Sequence, residues 1–239
     1  MKQLIAGARK LGIELSARQL DRFELYYQEL IQWNRRTNLT AITEYISVQV
    51  KHFLDSLTVV LALPANEMQK PDFDIVDIGT GAGFPGLPLK IVFPGLRLLL
   101  IEPTRKKATF LQHLIAKLGL ENVDVLNGRA EEVACLPQRR EQFALALSRA
   151  VAPLPTLVEL ALPFCHIGGR FVAQKKGEIS EEVTRAEKAI AAMGGKLSDI
   201  QRIELDEFTG ARYLIIIDKI HPTPEKYPRR AGVPERRPI

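Results

Sequence analysis

Cysteine is scarce in this chain, and the two present, Cys135 and Cys165, form no Cys-x-x-Cys spacing. That excludes a disulfide scaffold and a thiolate zinc site, and it points to a reducing compartment. Both are expected as buried small apolar residues rather than nucleophiles. The four histidines, His52, His113, His166 and His221, lack the spacing of a metal site, so no metal is expected. Missing too is any apolar run near the about 18 residues a membrane span requires. The N-terminal stretch MKQLIAGARKLGIEL threads charges through the place where a cleavable leader would be purely apolar. These absences predict a cytoplasmic protein with no membrane contact. No G-x-S-x-G elbow occurs, which removes one class of hydrolase. No segment reads as a dimerisation helix, so a monomer is expected.

What is present is a 239-residue chain, long enough for one α/β domain with an appendage. Its formal charge of +5 is mildly basic, compatible with nucleic acid without requiring it. The end of the chain carries more: Lys226, Arg229, Arg230, Arg236 and Arg237 stand against Glu225 and Glu235.

The stretch FDIVDIGTGAGFPGLPLKIV, from Phe73 to Val92, organises the chain. An apolar strand runs into a loop with Gly79, Gly81 and Gly83 on alternate positions, where the chain must turn sharply and let a ligand touch bare backbone. A helix is predicted to start near Pro85, a residue suited to a first turn. The nominal G-x-G-x-x-G of Gly81, Gly83 and Gly86 is interrupted by Pro85, and Asp77 places a carboxylate beside the loop. An acid there favours a cationic or amine-bearing ligand over a pyrophosphate. Some twenty residues on, the apolar run from Leu96 to Ile101 ends in Glu102, placed to accept the hydroxyls of a ribose.

In chain order, Leu4 to Leu11 is a short amphipathic segment closed by Gly12. Ser16 and Gln19 form a capping box that opens a long helix with Leu20, Phe23, Tyr27, Leu30 and Ile31 on one face. Asn38, Leu39 and Thr40 lie where that helix ends; Thr43 precedes another helical segment, and His52, Phe53, Asp55 and Ser56 lie within a third that runs to Leu63. Residues 1–65 thus read as a helical cap, 66–220 as the α/β body and 221–239 as a basic tail packing near the active-site face. From Phe73 onward strands and helices alternate, predicting a mostly parallel sheet of seven strands. Helices are expected over Arg105 to Leu118, capped by Thr104 and stopped by Gly119, and over Glu178 to Met193. Strands are expected at Val123 to Leu126, Phe143 to Leu147, Gly169 to Gln174, Leu197 to Leu205 and Ala211 to Ile217. The closing pair should include one antiparallel strand at the edge.

Ligands of open α/β sheets bind beyond the carboxyl ends of the strands. That rule gathers Asp77 with the glycines, Glu102, Ala130 with Glu131, and Ser148 with Arg149. Ala130 is small and Glu131 polar where an adenine would lie, with backbone N–H groups able to read its ring nitrogens. After the fourth strand no Asn- or Asp-Pro-Pro-aromatic group is available to clasp an exocyclic amine. Cofactor contacts are legible; a general base is not.

At these residues the sequence resembles the bacterial 16S rRNA guanine-N7 methyltransferase family (glucose-inhibited division protein B), within the class I S-adenosylmethionine-dependent methyltransferases. The matching stretches are Asn38-Leu39-Thr40; His52 with Asp55-Ser56-Leu57; Asp77 to Gly86 with Pro88; and Glu102 with Lys106, Lys107, Phe110 and Leu111. Further on they are Gly128 to Glu132, Ser148 to Ala152, Lys175-Lys176-Gly177, and Pro224 with Tyr227 to Arg230, Gly232 and Pro234. They span nearly the whole chain in order. The resemblance implies a Rossmann-like fold with one antiparallel strand, S-adenosylmethionine as cofactor, and methyl transfer to N7 of a guanine in the decoding region of 16S ribosomal RNA, free or in the small ribosomal subunit. By likeness Asp77, Gly79, Gly81, Glu102, Ala130, Glu131 and Arg149, with Thr80, Gly83 and Phe84 of the loop, would surround the donor. Asn38, His52 and Arg149 would position the reacting groups, and Lys175, Lys176, Arg212, Arg229 and Arg230 would face RNA.

That chemistry suits the missing base, since guanine N7 carries a free lone pair and the sulfonium brings its own electrophile. A cation such as Arg149 should not sit against the sulfonium. A salt bridge to the methionine carboxylate, the ordering of a nearby acid, or a grip on the guanine O6 edge are its open roles. Other readings of the residues are a nicotinamide-dependent oxidoreductase, a non-catalytic RNA-binding protein on the same fold, and methylation of a protein or small molecule. Asp77 and the lack of a hydride-site Tyr/Lys or His/Asp pair count against the first.

Overall fold

The computed structural model describes residues 1–64, 66–149 and 152–239. Helix α1 (Lys2–Lys10) stops before Gly12, and α2 (Ala17–Thr37) opens with the expected capping box, Ser16 N–H donating to Gln19 Oε1 at 2.8 Å. Gln19 also donates through Nε2 to Val92 O at 2.9 Å, so the same cap pins α2 to the body. The inward face of α2 carries Phe23, Tyr26, Glu29 and Leu30. Tyr26, not the expected Tyr27, is the buried tyrosine; Tyr27 packs outward against Tyr45 at a ring distance of 4.8 Å.

The two helical segments expected between Thr43 and Leu63 are four helical pieces end to end. These are α3 (Tyr45–Val48), a π-helical turn Gln49–Leu54, α4 (Asp55–Leu57) and a 3₁₀ segment Thr58–Ala62. A π turn takes in an extra residue and rotates the side chains that follow it, a device frequent at functional sites.

The sheet comprises β1 (Asp74–Ile78), β2 (Arg97–Ile101), β3 (Val123–Leu126), β4 (Phe143–Arg149), β5 (Cys165–Lys176), β6 (Gly195–Arg202) and β7 (Arg212–Lys219). They lie in the order β3-β2-β1-β4-β5-β7-β6. The connecting helices are α5 (Gly86–Val92), α6 (Arg105–Leu118), α7 (Ala130–Val133), α8 (Leu154–Ala161) and α9 (Ser180–Ala192). Strands β1 to β5 are parallel, and β7 runs antiparallel to both β5 and β6. The reversed strand therefore sits one place in from the edge, not at it. The edge belongs to β6, whose exposed Lys196, Asp199 and Arg202 discourage pairing with another sheet. Helix α6 ends at Gly119 in the left-handed conformation as expected. Thr104 gives it no side-chain cap; its backbone N–H donates instead to Glu102 Oε1 at 2.8 Å.

Period-two alternation sends Ile75, Leu98, Leu100, Leu145, Leu147 and Val172 to one face of the sheet, and Val76, Ile78, Leu99, Ile101, Ala146 and Phe171 to the other. The first face shares one continuous core with Leu4, Phe23, Tyr26, Leu30 and Phe53 of the N-terminal helices. The second is covered by α7, α8 and α9. After β7 the chain crosses back over this second layer and ends in α10 (Val233–Arg236). Cys165 is buried, which pushes its thiol up to about 12, while Cys135 is exposed, contrary to expectation.

Candidate functional site

Beyond Ile78 the chain folds back so that Gly79 N–H and Thr80 N–H both donate to Ile101 O, at 2.9 and 3.2 Å. This places the glycine loop over the ends of β1 and β2. Gly83 tolerates no side chain: its φ is +99°, and a Cβ there would fall 2.6 Å from the Tyr26 hydroxyl oxygen. That hydroxyl donates to Ala82 O at 2.5 Å, so α2 clamps the loop from the cap side.

Asp77 lies fully buried under the loop. Its Oδ2 accepts from Thr80 Oγ1 at 2.6 Å and Gly86 N–H at 2.9 Å, whereas its Oδ1 has no partner among the described residues. Burial, only partly offset by those hydrogen bonds, pushes this carboxyl up to about 6. Glu102 accepts from Gly81 N–H through Oε2 at 2.9 Å and from Thr104 N–H through Oε1 at 2.8 Å. Each oxygen is thereby oriented while keeping a second lone pair. Ser148, from the end of β4, donates to Ile78 O at 3.2 Å. The Ala150-Val151 part of its motif lies outside the described residues.

Two cavities open along this carboxyl edge. The smaller, about 190 Å³, is walled by Ile78, Ile101, Ala130, Glu131, Thr156 and Leu160, and Glu235 also lines it. The larger, about 430 Å³, runs past Gly81, Phe84, Glu102, Thr40, His52 and Arg149 to Lys107 and Lys176. Both include Gly79 and Pro103 in their walls, so they adjoin at the turn of the loop. A still larger hollow of about 720 Å³ lies among Leu11, Met68 and Phe93, away from these strand ends, and gathers none of the expected site residues.

Phe84 is the hub of the larger cavity. Tyr26 stacks on it at 5.3 Å and 5°, His52 stacks at 4.5 Å and 14°, and the Arg149 guanidinium lies 4.9 Å from its ring centre. Arg149 orders a nearby acid, one of its three open roles: Nη1 meets Asp55 Oδ2 at 3.1 Å and Lys51 O at 3.2 Å. Asp55 is also 3.4 Å from Arg212 Nε, a Coulombic contact without hydrogen-bond alignment. Arg149 Nη2 lies 3.2 Å from His52 Nδ1, and since guanidinium can only donate, Nδ1 is the acceptor. The other ring nitrogen, Nε2, therefore carries the hydrogen and donates to Thr40 Oγ1 at 2.8 Å. Burial, then the positive charge of Arg149, lowers His52 to about 3, so the ring is neutral.

The expected RNA-facing cations divide. Lys176 lines the larger cavity with no ion-pair partner among the described residues. Partial desolvation there, with Arg212, Arg149 and Lys51 nearby and Asp55 opposing them, lowers its pKa from the ordinary lysine value. Arg230 is exposed. The other three charges are spent inside the protein. Lys175 pairs with Glu182 at 2.6 Å, Arg212 faces Asp55, and Arg229 grips the fully buried Glu159 at 2.6 Å. Asn38 is exposed at the left-handed C-cap of α2 and makes no wall of either cavity, although its neighbours Leu39 and Thr40 do.

The family model described as rRNA small subunit methyltransferase G (GidB) matches residues 19–208. The chain belongs to that family. Its full length aligns with the ribosomal RNA small subunit methyltransferase G of Dehalococcoides mccartyi at 51% identity, covering all of both chains. The protein of the same name from Roseiflexus castenholzii is 46% identical over 239 residues, again all of both chains. Among solved structures, MtNAS in complex with MTA and tNA matches at a TM-score of 0.56 and 14% identity, covering 85% of this chain and 74% of that one. Precorrin-6y C5,15-methyltransferase from Geobacter metallireducens matches at 0.51 and 16%, covering 77% and 92%. At these identities the likeness is one of fold. Membership makes the chain a class I S-adenosylmethionine-dependent methyltransferase acting on guanine N7 of 16S ribosomal RNA. The donor suits what is present: a buried carboxylate with an unpaired oxygen, open glycine backbone and an oriented second acid.

Several residues that brace the surroundings of these cavities were not expected from sequence. Asn34 shapes the approach to Thr40, accepting from Leu39 N–H at 2.6 Å and Thr40 N–H at 2.9 Å through Oδ1. Asp55 sat in a recognised motif, yet its placement between two arginines depends on the π turn. Tyr26 has nothing in the sequence to set it apart from Tyr27. Glu159, an acid amid the apolar run of α8, was the one carrying a signal: a buried charge demands a partner.

Proposed function

We propose that the smaller cavity takes the donor's adenine between Ala130 and Leu160, and that Glu102 accepts its ribose hydroxyls. The backbone from Gly79 to Gly81 receives the methionine portion. The outer part of the larger cavity, at Phe84, His52, Arg149 and Lys176, receives the target guanine, splayed from its loop because a stacked base hides N7. The observation that carries this assignment is that the two cavities adjoin at Gly79 and Pro103. A nucleoside seated across that junction would present its far end to the Phe84 hub.

When bound, the donor supplies an electrophilic methyl carbon. The chain's own residues orient, exclude water and hold charge. His52 is no base, because its Nδ1 accepts from Arg149 and its Nε2–H is committed to Thr40. Glu102 is committed to backbone N–H groups. An acceptor that needs no deprotonation is what such a site can use, and guanine N7 is one. Arg149, held by Asp55, aims a fixed cation at the guanine edge or its phosphate rather than at the donor's own charge. The enzyme acts as a cytoplasmic monomer on the decoding region of 16S RNA.

The test is transfer of labelled methyl from S-adenosylmethionine to free 16S RNA and to intact small subunits, with the modified atom mapped. Label at guanine N7 in one of these substrates, with Arg149→Ala lowering turnover at least roughly 100-fold while donor affinity stays near wild type, supports the assignment. Loss of donor affinity in that variant, with turnover at saturation intact, would overturn it.

A further inference from the structure

The C-terminal segment does not lie free. Arg140 donates to Thr223 O at 2.8 Å and Tyr227 O at 2.9 Å. Arg229 donates to the buried Glu159 from its backbone N–H at 2.8 Å and from its guanidinium at 2.6 Å. Gly232 N–H reaches Glu131 Oε1 at 2.8 Å, and the carbonyl of the buried Pro234 accepts from the buried Thr156 at 3.1 Å. Glu131, Thr156 and Glu235 all line the smaller cavity. Strap and cavity thus share their walls. The contacts the strap makes there are backbone groups, an apolar proline and an acid, not the cations of an RNA arm.

We propose that this strap is a built wall of the donor's base pocket, with Glu131 as the residue that joins the two; this rests on the donor assignment above. Glu131 is almost fully buried. Gly232, at φ +77°, turns the strap so that its N–H occupies one carboxylate oxygen of Glu131. The other oxygen makes no hydrogen bond among the described residues and is left for an amine-bearing base. Docking of the strap therefore sets the carboxylate that meets the ligand, and ligand and strap hold each other in place. Arg230, Arg236 and Arg237 are exposed, so contact with RNA remains open to them without being the strap's first task.

The coupling is measured by titrating S-adenosylhomocysteine into the full chain and into a chain ending after Ala231. That truncation removes Gly232, Pro234 and Glu235 but keeps the Arg229–Glu159 clamp. The dissociation constant should rise roughly tenfold, and by the same factor at low and high salt, as for a lost wall rather than a lost charge. Reciprocity requires the ligand to slow tryptic cleavage after Arg230 in the intact chain, a reading that needs no variant. Equal affinity of the two chains, or cleavage unaffected by ligand, overturns the strap's role. Failure of the full chain to bind at all overturns the donor assignment beneath it.

Discussion

Asp77 sets the pH behaviour of the site. A carboxyl pushed up to about 6 by burial holds its proton longer folded than unfolded, where it titrates near 3.8. Between those values the folded state binds the extra proton, so Asp77's contribution to stability falls as pH rises from about 4 to 6 and stays unfavourable above. A cationic donor reverses the balance by favouring the ionised form. Donor affinity should weaken as pH drops through about 6. Asp77→Asn should flatten that dependence, cost affinity at pH 7.5, and raise the melting temperature of the ligand-free protein there. Calorimetric titration and thermal unfolding at several pH values check all three. A similar affinity step in Asp77→Asn would shift the titrating group elsewhere. His52 does not supply the step, because burial and Arg149 keep it neutral across this range.

At the scale of elements, the glycine loop is held from outside itself. Tyr26 of α2 donates to Ala82 O and stacks on Phe84, so Tyr26→Phe keeps the stack and strands a buried carbonyl. Such an orphan costs about 1 to 3 kcal/mol, and denaturant unfolding should find that loss together with weaker donor binding. This clamp marks the limit of what the residues alone disclosed. The strand–loop–helix from Asp74 to Val92, the Ser16 capping box and the Gly119 stop were legible because each is fixed by neighbours in sequence. Choosing Tyr26 over Tyr27 needs to know what α2 faces. The π turn at Gln49–Leu54 breaks the helical period on which any reading of His52 and Asp55 depends. The place of β7 between β5 and β6 is a matter of long-range pairing, which no local pattern encodes. That Asp77, the glycines, Glu102 and Glu131 gather at one sheet edge was legible because strand ends converge by rule. Lys175, Arg212 and Arg229 looked free because a charge's internal partner is invisible until the chain folds.

For the molecule as a whole, those partners separate cations that hold the fold from cations available to RNA. Arg229→Ala leaves Glu159 charged and buried with only the backbone N–H of residue 229 to meet it, which should cost about 3 kcal/mol in unfolding experiments. Lys107 and Lys176 line the open cavity instead. Replacing both with alanine should leave the melting temperature unchanged and reduce the slope of log affinity for RNA against log salt by roughly 1 to 2. If the two substitutions exchange these effects, the division is wrong.

Asp55 has a last bearing on what approaches from solvent. Its carboxylate lies between Arg149 and Arg212, so the helical cap is fastened to β4 and β7 at one point, and the trio carries one surplus positive charge. Both guanidinium groups surrendered their hydration when the chain folded. On the proposed assignment, an arriving phosphate or guanine edge feels that field from a distance and sheds only its own water on contact, and encounter passes into alignment without a slow rearrangement of the protein.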